Sequence, residues 1–196
     1  MGILSWFKRE RTEDDAVKFL RDAGAQVNEL APLSSKRKPP AIDELRSELG
    51  RKTALWENGQ LPEEEAASLA FLKSGLAFID IVRENYGLEL TLAEQDVVSV
   101  EVVAGMLHRS YTDGDLPDDY IMRYARPIAG YLGLLVQIHK GGEWVLEVEE
   151  MKESGPAIRQ ANGQHYFLLG KVYRRIQDGA EDNLAHFYRW VKYSLD

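Results

Sequence analysis

The sequence predicts a mainly helical α+β fold in which helices pack around a small antiparallel sheet of two or three strands. Apolar residues recur at helical spacing through most of the chain after residue 40. Several of these segments begin with acidic residues or a proline, which are typical of helix N-termini. In a short stretch around Trp144, apolar residues instead occur at every second position, which is typical of a strand. Because each predicted helix has one apolar face, the helices can bury these faces only against one another.

The composition supports a globular chain. Of the 196 residues, 44% are hydrophobic and 29% are charged, which is ordinary for a globular domain. The sequence contains no run of about 18 apolar residues, so no membrane span is predicted. Cysteine is absent, which excludes thiolate nucleophiles and cysteine-ligated metal centres and favours a reducing, cytoplasmic compartment.

Three parts are predicted along the chain. Residues 1–30 hold an N-terminal amphipathic segment and a short helix that begins near Thr12. Residues 31–40 form a Pro-rich basic tether, because three prolines prevent regular structure there. Residues 41–196 form a single helical α+β domain. The tether's basic residues have no interleaved aromatic residues, so no nucleic acid is expected as a partner.

The first helices of the domain are predicted from apolar faces and helix-start signals. An apolar face between Ile42 and Leu49 predicts a helix that Gly50 interrupts. Pro62, followed by three glutamates, predicts the start of a helix that runs to about Tyr86.

Two further helices are predicted in the middle of the chain. Thr91 and Glu94 have the spacing of a capping box, which predicts a helix from there through Leu107. Valine is abundant in this segment, and a strand between residues 97 and 103 is the alternative. The next helix opens after a turn, and Pro127 is expected to kink or divide it.

A small sheet is predicted after these helices. Gly130 and Gly133 would let another backbone approach closely just before it. Trp144, Leu146 and Val148 are expected on one face of a first strand. A second strand is predicted at residues 156–160, followed by an Asn-Gly turn.

The chain is predicted to end in two helices, at about residues 169–177 and 181–195. Aromatic residues are expected to form the seam between sheet and helices, namely Trp144, Tyr166, Phe167, Phe187, Tyr188 and Trp190. Trp190 and Tyr193 fall three apart and are also candidates to project past the core towards a partner.

Acidic residues are concentrated in the middle of the chain. Residues 53–153 hold 7 basic and 19 acidic side chains, within a total net charge of −8. Such a block can steer a basic partner, and a solubilising face is the alternative. The candidate partner-binding residues are Asp113, Asp115, Asp118, Asp119, Glu147, Glu149 and Glu150.

The N-terminus holds a second candidate contact, a docking segment in residues 1–11. Its apolar members are Ile3, Leu4, Trp6 and Phe7, and basic residues follow them. One or two helical turns of this kind could lie weakly in a membrane interface. The alternative is a hook packed in a protein groove, either on the domain or on a second subunit.

No motif predicts catalysis. The four histidines are scattered and form no short metal-ligand pair. No glycine cluster lies between a strand and a helix to hold a phosphate, and no serine lies in a nucleophile elbow. No enzyme activity, catalytic residue, cofactor or metal is therefore expected.

A series of short motifs marks the C-terminal part. In order they are Tyr131-Leu-Gly133, Gly141-Gly-Glu-Trp144, Lys171-Val-Tyr-Arg-Arg175, Asp178-Gly179, and Glu181-Asp-Asn-Leu184 to Phe187-Tyr188. This order resembles small, largely uncharacterised bacterial α+β domains, some of which are immunity proteins beside polymorphic toxins. The resemblance covers about 60 residues and implies an α+β module without catalytic residues.

Two functional hypotheses follow from the sequence. The first is a protein-binding module that presents its acidic face to a basic protein partner, in the manner of an immunity protein. The alternative is a membrane-peripheral or assembly-targeting adaptor that docks through residues 1–11. The sequence does not predict the oligomeric state.

Overall fold

A computed structural model describes residues 39–148 and 155–194 of the chain. In these ranges it has six α-helices and three short strands. The helices are α1 (Ile42–Glu57), α2 (Ala66–Tyr86), α3 (Asp96–Thr112), α4 (Asp118–His139), α5 (Leu168–Gln177) and α6 (Leu184–Tyr193). The strands are β1 (Glu143–Val145), β2 (Ala157–Arg159) and β3 (His165–Tyr166). The mainly helical α+β class is thereby confirmed, whereas the predicted elements of residues 1–38 lie outside the described residues.

The sheet is antiparallel, with the strands in the order β1-β2-β3. Trp144 pairs with Ile158, which in turn pairs with Tyr166. The predicted three-residue apolar face of the first strand is wrong at Leu146, which is 41% exposed, whereas Trp144 and Val148 are buried. The reason is that β1 ends at Val145 and the chain bends at the next residue, which breaks the alternation.

The core is centred on the contact between α2 and α4. Gly75 of α2 and Gly130 of α4 meet backbone to backbone, so that a Cβ atom on Gly130 would lie 2.6 Å from the Gly75 nitrogen. The ring of Trp144 lies against Gly133 and stacks on Phe71 with 3.8 Å between ring centroids. The predicted close approach is thus confirmed at Gly130, while Gly133 receives an aromatic side chain instead of a backbone.

Helix α1 is continuous, so the predicted interruption at Gly50 is wrong. A glycine in a helix costs only about 1 kcal/mol relative to alanine. Ile42, Leu45 and Leu49 pack against the core from their partly buried positions. Arg46 of α1 also pairs with Asp80 of α2 at 2.8 Å. These contacts with α2 outweigh the local preference of one glycine.

The capping box at Thr91 and Glu94 is also wrong, because α3 begins at Asp96. The Asp96 carboxylate accepts hydrogen bonds from the backbone N–H groups of Thr91 (2.7 Å) and Ala93 (3.1 Å). Glu94 instead accepts from side chains of α6. The segment rich in valine is helical, as predicted, and the strand alternative is excluded.

Helix α4 passes through Pro127 without division. Proline removes one backbone donor from a helix interior. Nine consecutive residues after it, 128–136, are buried, and their packing offsets that loss. None of the helices in the described ranges is long and apolar enough to cross a membrane.

The last helix begins later than predicted. Residues Ala180–Asp182 form a short 3-10 turn, and α6 begins at Leu184 with the side chain of Asn183 accepting from the His186 backbone N–H at 2.8 Å. The predicted aromatic contacts between sheet and helices are present, in two groups. Trp144 of β1 stacks on Phe71 of α2, and Tyr166 of β3 meets Phe187 and Trp190 of α6. Trp190 and Tyr193 are each 57% exposed.

Candidate functional site

Four of the predicted partner-binding residues lie together on the turn between α3 and α4. Asp113 and Asp115 belong to the turn, and Asp118 and Asp119 form the first residues of α4. All four side chains are exposed. We call these four residues the acidic turn.

The backbone of the acidic turn is fixed by hydrogen bonds and one buried anchor. The carbonyl oxygen of Ser110 accepts from the backbone N–H groups of Asp115 (2.8 Å) and Leu116 (2.9 Å). Gly114 has a φ of +79°, a conformation that glycine adopts without strain. The side chain of Leu116 is buried. The four carboxylates are therefore displayed on a defined backbone.

Three features surround the acidic turn: the start of α4, the Tyr111 hydroxyl and a basic residue of α4. Asp118 and Asp119 lie at the N-terminal end of the α4 dipole, where negative charge is stabilised. A hydrogen bond to Asp118 raises the pKa of the Tyr111 phenol. Arg123 lies about one helical turn after Asp119 on α4. Its guanidinium stands 4.5 Å from the ring centre of Tyr120.

The other predicted partner-binding residues are not brought into this turn by any described contact. Glu147 is exposed and follows β1. Glu149 and Glu150 lie outside the described residues, as do the docking-segment residues Ile3, Leu4, Trp6 and Phe7.

Several acidic residues of the middle segment are used inside the fold. Glu101 accepts from Arg175 at 2.7 Å and from the backbone N–H of Leu184 at 2.7 Å. Glu94 accepts from Lys192 at 2.7 Å and from the Tyr188 hydroxyl at 3.2 Å. These carboxylates hold α5 and α6 on α3 and on the turn that precedes it. They contribute to the sequence's acidic block but not to a surface for a partner.

Two of the histidines lie within hydrogen-bond distance of backbone carbonyl groups inside the fold. A ring nitrogen of His108 lies 2.9 Å from the carbonyl oxygen of Ile176, and a ring nitrogen of His139 lies 2.8 Å from the carbonyl oxygen of Leu92.

Asp182 forms ion pairs with Lys171 (2.6 Å) and Arg174. Burial alone would raise the pKa of Asp182, but these two cations hold it below its usual range.

A second surface feature lies on α6, and sequence analysis found only part of it. It is an open hollow of about 730 Å³. We call this depression the α6 hollow. The residues that line it are Gln164, His186, Arg189, Trp190, Tyr193 and Ser194. The spacing of Trp190 and Tyr193 indicated an exposed pair. His186 and Arg189 fall at helical spacing on the same side of α6, but Gln164 comes from the turn before β3, which helical spacing does not reveal.

Comparison of the chain with protein-family models, with curated proteins and with solved structures found no match. The resemblance to small bacterial immunity-type domains therefore stays an expectation from the sequence.

Proposed function

We propose that this chain is a non-enzymatic, cytoplasmic protein-binding module that presents its acidic turn to a basic protein partner. The observation that carries the proposal is the display of four exposed carboxylates within seven residues on a backbone fixed at Ser110 and Leu116. Charge held in a fixed arrangement steers association and selects a partner of opposite sign.

The internal ion pairs sharpen this proposal. Glu94 and Glu101 are committed to residues of α5 and α6, so they are poorly placed to meet a partner. The four carboxylates of the acidic turn lie at the surface instead, where their negative charge can act on a partner. An immunity-type function would make the partner a toxin domain with a basic surface, and co-expression with that toxin would then protect the host cell.

The test uses charge reversal in the full chain. The tagged protein captures binding proteins from its host, mass spectrometry identifies them, and association rates are then measured with the purified candidate. The double variant Asp118→Lys with Asp119→Lys is compared with Glu63→Lys and Glu64→Lys, which make the same charge change at another exposed helix start.

We expect the first variant to associate at least about tenfold more slowly at low salt and to lose most of the salt dependence of the rate. The control variant should keep both properties. Equal rates for the wild type and the Asp118/Asp119 variant would contradict the proposal.

The alternative hypothesis, an adaptor that docks through residues 1–11, depends on residues outside the described ranges. It stays a prediction from the sequence.

A further inference from the structure

We propose that the α6 hollow binds a peptide segment of a partner protein that carries a carboxylate next to an aromatic or aliphatic side chain. This site is separate from the acidic turn and selects the opposite charge. It therefore goes beyond the proposed function and does not depend on it.

The charge of the hollow argues for an anionic segment. Its two contributing stretches, residues 160–167 and 184–193, contain no aspartate or glutamate, although the whole chain has a net charge of −8. Arg189 is exposed and forms no ion pair with any residue that the structure describes. A guanidinium can bind a carboxylate through two parallel hydrogen bonds.

Two further groups of the hollow are hydrogen-bond donors, on Gln164 and Trp190. The side-chain oxygen of Gln164 already accepts from the Tyr166 hydroxyl at 3.1 Å and from the Asn162 amide at 3.3 Å. Its NH₂ group and the Trp190 indole N–H have no acceptor within the described part of the chain. Free donors beside a guanidinium match the carboxylate and carbonyl oxygens of a peptide.

The aromatic part of the hollow is held in place before any partner arrives. Trp190 is 57% exposed, yet its ring meets Tyr166 edge-on at 5.7 Å between centroids and lies 6.0 Å from Phe187. A large ring fixed by its neighbours loses little conformational freedom on binding. Tryptophan, tyrosine and arginine are the residues that most often dominate binding energy at protein interfaces.

Helix α6 itself is anchored at both ends. Glu101 accepts from the backbone N–H of Leu184 at its start, and Lys140 donates to the carbonyl oxygen of Ser194 (2.9 Å) just after its end. Lys192 pairs with Glu94 at 2.7 Å between these two points. The hollow therefore lies on a rigid element, and its open form suits an extended segment.

The test is a selection of random short peptides displayed on phage, with the immobilised full chain as the target. We expect enriched peptides to combine Asp or Glu with an aromatic or aliphatic residue. Synthetic versions should lose about tenfold or more in affinity for Trp190→Ala and for Arg189→Ala. Matched controls at an exposed tryptophan and an exposed arginine elsewhere, Trp56→Ala and Arg126→Ala, should bind as the wild type does.

Three results would overturn the proposal: no enrichment, enriched peptides without carboxylates, or peptides that bind Trp190→Ala as tightly as the wild type. Binding of single-stranded oligonucleotides that is lost in Trp190→Ala, with no peptide enrichment, would also overturn it. The Asp118→Lys with Asp119→Lys variant should bind the selected peptides normally, which separates this proposal from that for the acidic turn.

Discussion

At the residue scale, two glycines set the distance between the two longest helices that the structure describes. A Cβ atom on Gly75 would lie 2.7 Å from the carbonyl carbon of Gly130, and one on Gly130 would lie 2.7 Å from the carbonyl oxygen of Phe71. Both neighbours are backbone atoms, which cannot rotate away as a side chain can. The close approach of α2 and α4 therefore requires glycine at both positions.

The change Gly130→Ala should lower the free energy of unfolding by about 1–3 kcal/mol, because the helices must separate to admit the methyl group. Gly50→Ala is the matched change in a helix whose Cβ site is empty, and it should raise stability by roughly 0.5–1 kcal/mol. Urea denaturation of both variants measures the two values. A Gly130→Ala protein as stable as the wild type would contradict the close contact.

The sequence predicted one half of this contact. Gly130 stood out because it lies in a helical segment just after Pro127, whereas Gly75 lies within an ordinary apolar helix pattern. Gly75 and Gly130 are 55 residues apart along the chain. No local sequence pattern specifies which two helices face each other. The α6 hollow shows the same limit. Helical spacing within one segment predicts that Trp190 and Tyr193 lie together, but it does not predict that Gln164, from another segment, lies beside them.

At the scale of elements, the turn before α3 shows why a local motif failed. Thr91 and Glu94 have the right spacing for a capping box, but Glu94 accepts from Tyr188 and Lys192, more than 90 residues further along the chain. The Asp96 carboxylate stabilises this turn instead. It accepts hydrogen bonds from two backbone N–H groups and from the Tyr131 hydroxyl, the last at 2.7 Å. Long-range partners outweighed the local signal.

Tyr131 links this turn to α4, and its role predicts a response to alkaline pH. Burial raises the pKa of Tyr131 above its ordinary value, and the nearby Asp96 adds to the rise. Burial does the same for Tyr188, next to Glu94. As the pH rises past about 10, the unfolded chain loses these protons while the folded chain keeps them. Folding stability is therefore fully present below pH 10 and falls above it.

Each tyrosine should contribute a loss of about 1.4 kcal/mol per pH unit above pH 10. Tyr131→Phe should lower the free energy of unfolding by about 1–3 kcal/mol at neutral pH, because the backbone N–H of Leu92 loses its acceptor. The same variant should lose stability less steeply above pH 10, by the contribution of one tyrosine. Tyr188→Phe should reduce that slope by a similar amount. Denaturation curves from pH 8 to 11 measure it, and a wild-type slope retained in both variants would contradict the assignment.

At the scale of the whole molecule, the uneven charge of the sequence has an internal use. Acidic residues of the middle segment pair with basic residues of the C-terminal part, as in Glu94 with Lys192, Glu101 with Arg175, and Glu143 with Arg159. The sequence predicted the acidic block and the turn before α4 within it. It could not separate the carboxylates that hold the fold together from those that face solvent, because that distinction depends on three-dimensional pairing.

Among these internal links, the single carboxylate of Glu101 joins three helices. It lies on α3, pairs with Arg175 of α5 and accepts from the first residue of α6, and the side chains of Glu101 and Arg175 are only 12% and 7% exposed. Loss of one partner of a buried ion pair leaves the other charge uncompensated, at a cost of about 3–5 kcal/mol. Glu143 and Arg159 form the contrasting pair, since both side chains are more than half exposed.

Glu101→Gln should therefore lower the free energy of unfolding by about 3 kcal/mol or more, a large share of the 5–15 kcal/mol typical of a domain. Glu143→Gln should cost no more than about 1 kcal/mol, and added salt should reduce that cost further. Guanidinium chloride would screen both pairs, so urea is the suitable denaturant. Equal losses in the two variants would show that the Glu101 carboxylate does not hold the helices together. A loss confined to Glu101→Gln would show that this carboxylate helps to hold α5 and α6, and with α6 the α6 hollow, on α3, whereas the exposed pair adds little.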